Sequence, residues 1–235
     1  MEVRENLSYS EQVKKSDLLS SFFMQVYGWM FFGLATTGFV AYYVANNEML
    51  LKMIFGNSMV FYGLLIAQLV LVFVLSGASK SLSPSAASFI FFVYSALNGA
   101  TLSSIILLYT YESIASVFFI TSGTFGAMSA FGYFTKKDLS KMGSILFMAL
   151  IGLILATLVN IFLQSTALMW ILTYVGVLVF VGLTAFDTQK LKQIGSQITD
   201  ENMLSKIAVI GALTLYLDFV NMFLYMLRIF GNRRN

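Results

Sequence analysis

The sequence predicts an all-α integral membrane protein with seven transmembrane helices. Apolar residues make up 58% of the 235 residues and charged residues only 11%, with a mean hydropathy of +0.82. Charged residues account for about a quarter of a typical soluble domain. The apolar residues fall into runs near the roughly 20 residues that a helix needs to cross a bilayer. Nearly all of the chain is used by these runs, so one polytopic domain is expected.

The elements follow one another with short linkers. Residues 1–21 are polar and mixed in sign, unlike a secretory signal peptide, and are expected to form a cytoplasmic tail. The transmembrane domain is predicted over residues 22–231, and a basic tail over 232–235. Its spans are predicted at Phe22–Val44, Met59–Leu75, Ala86–Tyr109, Ile114–Phe134, Gly143–Leu163, Ala167–Phe186 and Ile207–Leu227. Span 6 is expected to continue past Asp187, and the longest linker is predicted at Thr188–Ser205.

The distribution of Lys and Arg predicts a cytoplasmic N-terminus. Seven crossings from that start place ten bases on the cytoplasmic side: Arg4, Lys14, Lys15, Lys80, Lys136, Lys137, Lys141, Lys190, Lys192 and Lys206. The far side then holds four: Lys52, Arg228, Arg233 and Arg234. This asymmetry follows the positive-inside rule. The three C-terminal arginines would suit a different arrangement, in which the last segment re-enters and returns to the cytoplasm.

Two absent residue types narrow the chemistry. The chain has no Cys and no His. Disulfides, thiolate metal sites and cysteine nucleophiles are therefore excluded, as are histidine-based zinc proteases and the Ser-His-Asp triad. The net charge of +3 lies in tails and loops, and no basic run with interleaved aromatics indicates a nucleic-acid partner.

Small residues recur at four-residue spacing in two spans, as they do where membrane helices approach closely. Span 3 carries Ser95, Gly99 and Ser103, and span 4 carries Ser122, Gly126 and Ala130. Both stripes are interpreted as helix-packing surfaces, with a pore lining or a sliding surface as the alternative.

Asp187 and Asp218 are the two carboxylates within apolar segments, and no Lys, Arg or His lies inside a segment to neutralise them. An ionisable group at membrane depth indicates a functional site. Asp218 lies near the middle of span 7, on one helix face with Gly211, Thr214, Asn221 and Tyr225. We expect this face to meet a cavity or another span.

Asp187 is expected about 10 Å nearer the cytoplasm than the centre of span 6, since seven residues separate it from that centre. Direct pairing with Asp218 therefore requires a tilt or an axial shift; otherwise water or a cation must bridge the gap. Two carboxylates about 4 Å apart repel by about 4 kcal/mol at an effective dielectric constant of about 20. Such a pair would hold one shared proton and, once doubly ionised, would suit Ca²⁺. The alternative is an interfacial Asp187 beside Lys190 and a structural Asp218 bonded to Asn221 or Thr214.

Four segments resemble the transmembrane Bax-inhibitor-motif family. They are MQVYGWMFFGL (Met24–Leu34), which is similar to the bacterial branch, GYFTKKDLSKMGSIL (Gly132–Leu146), AFDTQKLK (Ala185–Lys192) and LTLYLDFVNMFLYMLRIFG (Leu213–Gly231). The resemblance covers the chain from about residue 20 onward. It implies a seven-helix fold with the last helix central in the bundle.

The resemblance also implies a pH-sensitive calcium leak channel of the bacterial inner membrane, with Asp187 and Asp218 as the proton sensor and transient Ca²⁺ site. Thr184, Thr214 and Asn221 are predicted to form a supporting polar face. No resident cofactor is expected, and Ca²⁺ is the transported ion. Some bacterial relatives carry an acid and an arginine in span 2, whereas this chain offers only Gln68 there. A gating step that uses such an arginine is therefore not expected here.

Three functions could explain these features of the sequence. The first is the proton-regulated leak, with the bilayer, Ca²⁺ and protons as partners. The second is an intramembrane aspartyl protease; the residues before Asp187 and Asp218 lack its Tyr-Asp and Gly-x-Gly-Asp motifs, so no enzyme is predicted. The third is a non-conducting modulator that binds a membrane protein through the N-terminal tail.

Overall fold

The computed structural model describes residues 2–77, 82–198 and 200–234, with side chains from residue 15 onward except at 201 and 202. Lys80, one of the predicted cytoplasmic bases, lies outside the described residues. The described part of the chain forms eight α-helices: α1 (Glu2–Ala45), α2 (Glu48–Phe55), α3 (Ser58–Gly77), α4 (Pro84–Leu108), α5 (Tyr111–Phe134), α6 (Ser140–Leu163), α7 (Thr166–Gly195) and α8 (Glu201–Phe230). All but α2 are long and apolar enough to cross a membrane, which confirms the seven predicted spans.

Three boundaries differ from the prediction. Helix α1 continues through the predicted tail, because no Pro or Gly interrupts the chain before Gly28. The short helix α2 was not predicted; Asn47 caps it by accepting a hydrogen bond from the Leu50 N–H at 3.1 Å. Helix α7 runs on to Gly195, so the long linker predicted at Thr188–Ser205 was wrong, and only residues 196–200 separate α7 from α8.

Contacts divide the chain into two compact units. The first comprises Met1–Ser104 and Leu191–Leu213, and the second Ile105–Lys190 and Thr214–Asn235. In the first unit α1 packs against α4, where the Thr37 hydroxyl donates to the Ser95 carbonyl at 2.9 Å. A Cβ on Gly99 would lie 2.5 Å from the Thr37 carbonyl oxygen. Ser95 and Ser103 are fully buried, so the packing interpretation of the span 3 stripe is confirmed.

Helix α5, in the second unit, packs through a different stripe from the predicted one. Gly126 and Ala130 are exposed, and a Cβ on Gly126 would meet nothing within 4 Å. The packing interpretation of the span 4 stripe was therefore wrong. The buried residues of α5 are instead Ser113, Val117, Thr121, Phe125, Ser129 and Gly132.

The closest approach of α5 to α7 is at Gly132, where a Cβ would lie 2.1 Å from the Ala185 carbonyl oxygen. Farther along α5, Phe125 packs edge to face on Phe219 of α8 with ring centroids 5.5 Å apart. These contacts fix α7 and α8 beside α5 in the second unit.

The C-terminal residues return to the turn between α4 and α5. The Thr110 N–H donates to the Asn232 carbonyl at 3.1 Å, and the Arg234 N–H donates to the Leu108 carbonyl at 2.9 Å. Helices α5 to α8 separate these partners along the chain, and four crossings return it to the same side. The contact therefore agrees with the predicted seven crossings, and α8 is one continuous helix.

The last helix has the largest buried share of the seven. Within its most apolar stretch 61% of the residues are buried, whereas the other six range from 6% to 39%. This burial is what the predicted central position of the helix requires. The central position itself stays a prediction.

Candidate functional site

Asp187 of α7 and Asp218 of α8 are brought together in the second unit. The two carboxyl groups lie within hydrogen-bonding and electrostatic reach of one another. Asp218 is 4% exposed, and Asp187 is partly buried. The geometry therefore joins the two residues that the sequence had singled out.

The pairing results from an axial shift between antiparallel helices. Asp187 lies opposite Asp218, and Gly176, eleven residues earlier in α7, lies opposite Tyr225, seven residues later in α8. The helix centres expected from the sequence, near residues 180 and 217, are therefore not level. Given the expected offset of about 10 Å, direct pairing required either a tilt or an axial shift, and the structure has the axial shift.

One oxygen of Asp218 is left without a donor. Its Oδ2 atom is buried and has no hydrogen-bond partner among the described residues. The Asn221 amide, proposed as a structural partner, instead donates to the Leu217 carbonyl at 2.8 Å. A buried polar atom without a partner costs about 1–3 kcal/mol. A proton on one carboxyl, or a cation, would satisfy this oxygen.

Lys190 is the base that acts on Asp187 electrostatically, as the interfacial alternative anticipated. It is exposed, and its ammonium lies 5.9 Å from the centroid of the Phe186 ring. For Asp218 the nearby charge is the Asp187 carboxyl itself. The deeper member of the pair thus faces a like charge.

The predicted supporting residues make their hydrogen bonds mainly within their own helices. The Thr184 hydroxyl, fully buried, donates to the Phe180 carbonyl at 2.8 Å. Thr214 is partly buried one turn before Asp218, and Asn221 lies one turn after it. They lie on both sides of the pair along the chain, but the Thr184 hydroxyl and one Asn221 N–H donate to backbone carbonyls of their own helices.

A hydroxyl chain next to the pair was not predicted. Thr188, fully buried, donates to the Thr184 carbonyl at 2.8 Å and meets the Ser129 hydroxyl at 2.9 Å. Either hydroxyl can be the donor of the second bond. The bond ties α5 to α7 one residue after Asp187. The four-residue spacing of Thr184 and Thr188 was the sequence feature that could have indicated this hydroxyl chain.

Gln189, also missed from the sequence, clamps the turn between α5 and α6. Its Oε1 accepts from the Leu139 N–H and its Nε2 donates to the Lys137 carbonyl, both at 2.8 Å. In the same turn Asp138 accepts from the Ser140 N–H and hydroxyl, and these bonds lower the pKa of its exposed carboxyl. The turn is thus held to α7 two residues beyond Asp187.

Replacing Gln189 by Leu should destabilise the protein by about 1–3 kcal/mol, because the buried Leu139 N–H and the part-buried Lys137 carbonyl lose their partners. Thermal unfolding in detergent measures the change. Gln193→Leu is the matched control, as Gln193 is exposed on the same helix. Equal shifts for the two variants would mean that the clamp contributes nothing.

In α3, Gln68 occupies a structural position in the first unit. It is 9% exposed, and its amide donates to the Leu97 carbonyl and the Thr101 hydroxyl of α4, each at 3.4 Å. It therefore joins α3 to α4.

The family model described as "Inhibitor of apoptosis-promoting Bax1" matches residues 19–235. The chain belongs to this family. Among its curated relatives, inner membrane protein YbhL of Escherichia coli (strain K12) is 57% identical over 218 residues, covering 92% of this chain and 93% of YbhL. An uncharacterized protein of Borreliella burgdorferi is 43% identical, covering 94% of this chain and 97% of the relative. Family membership confirms the resemblance seen in the sequence.

Proposed function

We propose that this chain is a proton-regulated calcium leak channel in which Asp187 and Asp218 share a proton in the closed state. The observation that carries the proposal is the buried Asp218 Oδ2, which has no donor among the described residues and lies beside a second carboxyl. A structural acid would normally be satisfied by fixed donors. The proposed partner of this oxygen is a proton or a cation, either of which can bind and dissociate.

Protonation would act on the contact between α7 and α8. Two charged carboxylates at about 4 Å repel by about 4 kcal/mol at an effective dielectric constant of about 20, enough to shift a two-state equilibrium by about a thousandfold. A single proton removes that repulsion. The helices meet tightly at Gly176 and Tyr225, so a change in their separation at the pair must be absorbed by that contact.

Calcium is the proposed cargo. Ca²⁺ takes six to eight oxygen ligands, and two carboxylates supply at most four of them. The remaining ligands would be water, which favours brief binding over retention. No enzymatic activity is proposed. The inner membrane is the proposed location, supported by the name of YbhL, and a cytoplasmic N-terminus is supported by the predicted ten-to-four distribution of bases.

Calcium influx into dye-loaded liposomes tests the channel. It is recorded from about pH 5 to about pH 8, a range in which proteins are generally stable. Wild type should show a sigmoidal pH response, and Asp218→Asn and Asp187→Asn should each flatten it, since neither leaves two ionisable groups. Glu112→Gln, an exposed carboxyl in α5, is the control and should keep the wild-type profile. Unchanged profiles in both aspartate variants would exclude the pair as the sensor.

A second candidate is a non-conducting modulator of membrane proteolysis or of stress and cell-death machinery. The family description, which names an inhibitor of apoptosis-promoting Bax1, favours it. The proposed docking segment is the N-terminal tail, residues 1–21. Deleting it should abolish capture of a membrane-protein partner while leaving calcium flux intact. No flux above that of empty liposomes at any pH would favour this candidate over the channel.

A further inference from the structure

A cavity of about 170 Å³ lies in the second unit, where α6 ends, α7 begins and α8 approaches its last turns. Its lining consists of Thr157, Asn160, Met169, Leu172, Asn221, Leu224, Tyr225 and Arg228. The described residues of the lining include one cation and no carboxylate, so neither Asp187 nor Asp218 lines this cavity.

Three of the five polar residues in the described lining bring hydrogen-bond donors: Asn160, Tyr225 and Arg228. The Asn160 Oδ1 accepts from the Ser165 N–H at 3.1 Å, which orients the Asn160 amide and leaves its NH₂ group to donate. Arg228 donates from Nη1 to the Thr173 hydroxyl over a long distance of 3.4 Å, and a guanidinium carries five N–H donors in all. Tyr225 adds a phenol. A guanidinium, an amide NH₂ and a phenol are the groups that hold an oxyanion.

This end of the unit has the marks of a membrane surface. Trp170 and Tyr174 stack at 6.0 Å on the first turns of α7 and are 37% and 54% exposed. Trp and Tyr are enriched where hydrocarbon meets water. Arg228 lies 22 residues after Lys206 in α8, or about 33 Å at 1.5 Å per residue, which matches a hydrocarbon core of about 30 Å. The guanidinium is therefore placed at headgroup level.

We propose that this cavity binds a phosphate group, held by Arg228, Tyr225 and Asn160, and that a phospholipid headgroup supplies it. The geometry of a guanidinium suits two phosphate oxygens at once. Met169, Leu172 and Leu224 form the apolar part of the lining and would take the beginning of an acyl chain. Free phosphate shares the recognised chemistry, but it would leave this apolar part without a contact.

Native mass spectrometry of the full-length, delipidated protein in detergent tests the site. The probes are phosphatidylglycerol and a diacylglycerol with the same acyl chains but no phosphate. Wild type should bind the phospholipid in preference to the diacylglycerol, and Arg228→Gln should weaken that binding at least about fivefold, because a charge-assisted bond is lost. The matched control is Arg233→Gln, an exposed arginine near the same end that does not line the cavity.

Arg228→Lys should retain part of the affinity, and thermal unfolding of each variant checks that it is folded. Displacement of the lipid by millimolar inorganic phosphate would mean that the cavity binds an oxyanion but that its ligand is free phosphate, which would overturn the assignment to a phospholipid. Equal losses in Arg228→Gln and Arg233→Gln would overturn the proposal, since a diffuse basic surface would explain both. Equal binding of diacylglycerol and phospholipid would overturn it as well.

Discussion

Gly132→Ala should lower the unfolding temperature of the detergent-solubilised protein by about 5 °C. A methyl group at this position would lie 2.1 Å from the Ala185 carbonyl oxygen, well inside contact distance. The obstructing atom belongs to the backbone, so no side chain can rotate away and α5 must separate from α7. Overpacking of this kind costs about 1–3 kcal/mol, and each kcal/mol shifts the midpoint by about 2–4 °C in a chain of this size.

The control for this experiment lies on the same helix. A Cβ on Gly126 would meet nothing within 4 Å, so Gly126→Ala should leave the unfolding temperature unchanged or raise it slightly. Ala favours a helix over Gly by up to about 1 kcal/mol. Similar losses of stability in both variants would show that α5 does not approach α7 as described.

Asp218→Leu should make the protein more stable while abolishing the pH response of calcium flux. The carboxyl is buried, carries an oxygen without a donor among the described residues and faces Asp187. Leu removes the desolvation cost and the like-charge contact at similar volume, which should increase the free energy of unfolding by about 1–3 kcal/mol. Thermal unfolding in detergent and liposome flux are measured on the same preparation.

Glu112→Gln removes an exposed carboxyl of α5 and should change neither quantity. A lower unfolding temperature for Asp218→Leu would indicate that the carboxyl stabilises the fold, and its proposed role as a sensor would lose its physical basis. A gain in stability with an unaltered pH response would also contradict the proposal. Stability and function are therefore expected to change in opposite directions at this residue.

Sequence patterns predicted the spans because long apolar runs and polar linkers report directly on membrane crossing. They did not predict α2, whose eight residues are too few to cross a membrane and which depends on the Asn47 cap. Nor did they separate the two small-residue stripes, since spacing alone does not say which face of a helix is covered. Gly99 meets a backbone carbonyl, whereas Gly126 faces open space.

The two aspartates were evident because carboxylates are rare at membrane depth. Their contact was not, because the relative height of two helices depends on packing along their whole length. The amide clamp of Gln189 gave no signal at all: its partners are backbone atoms of residues some fifty positions away, at Lys137 and Leu139. Arg228 was visible only as a charge at the end of a span.

The return of the C-terminal residues to the turn after α4 limits what can be attached there. Asn232 and Arg234 are tied to Thr110 and Leu108 through the backbone, and the Arg234 guanidinium lies 4.8 Å from the centre of the Tyr111 ring. A bulky label attached at Asn232 or Arg234 would lie directly beside these bonds and would compete with them for space. A label at this site therefore needs a flexible spacer.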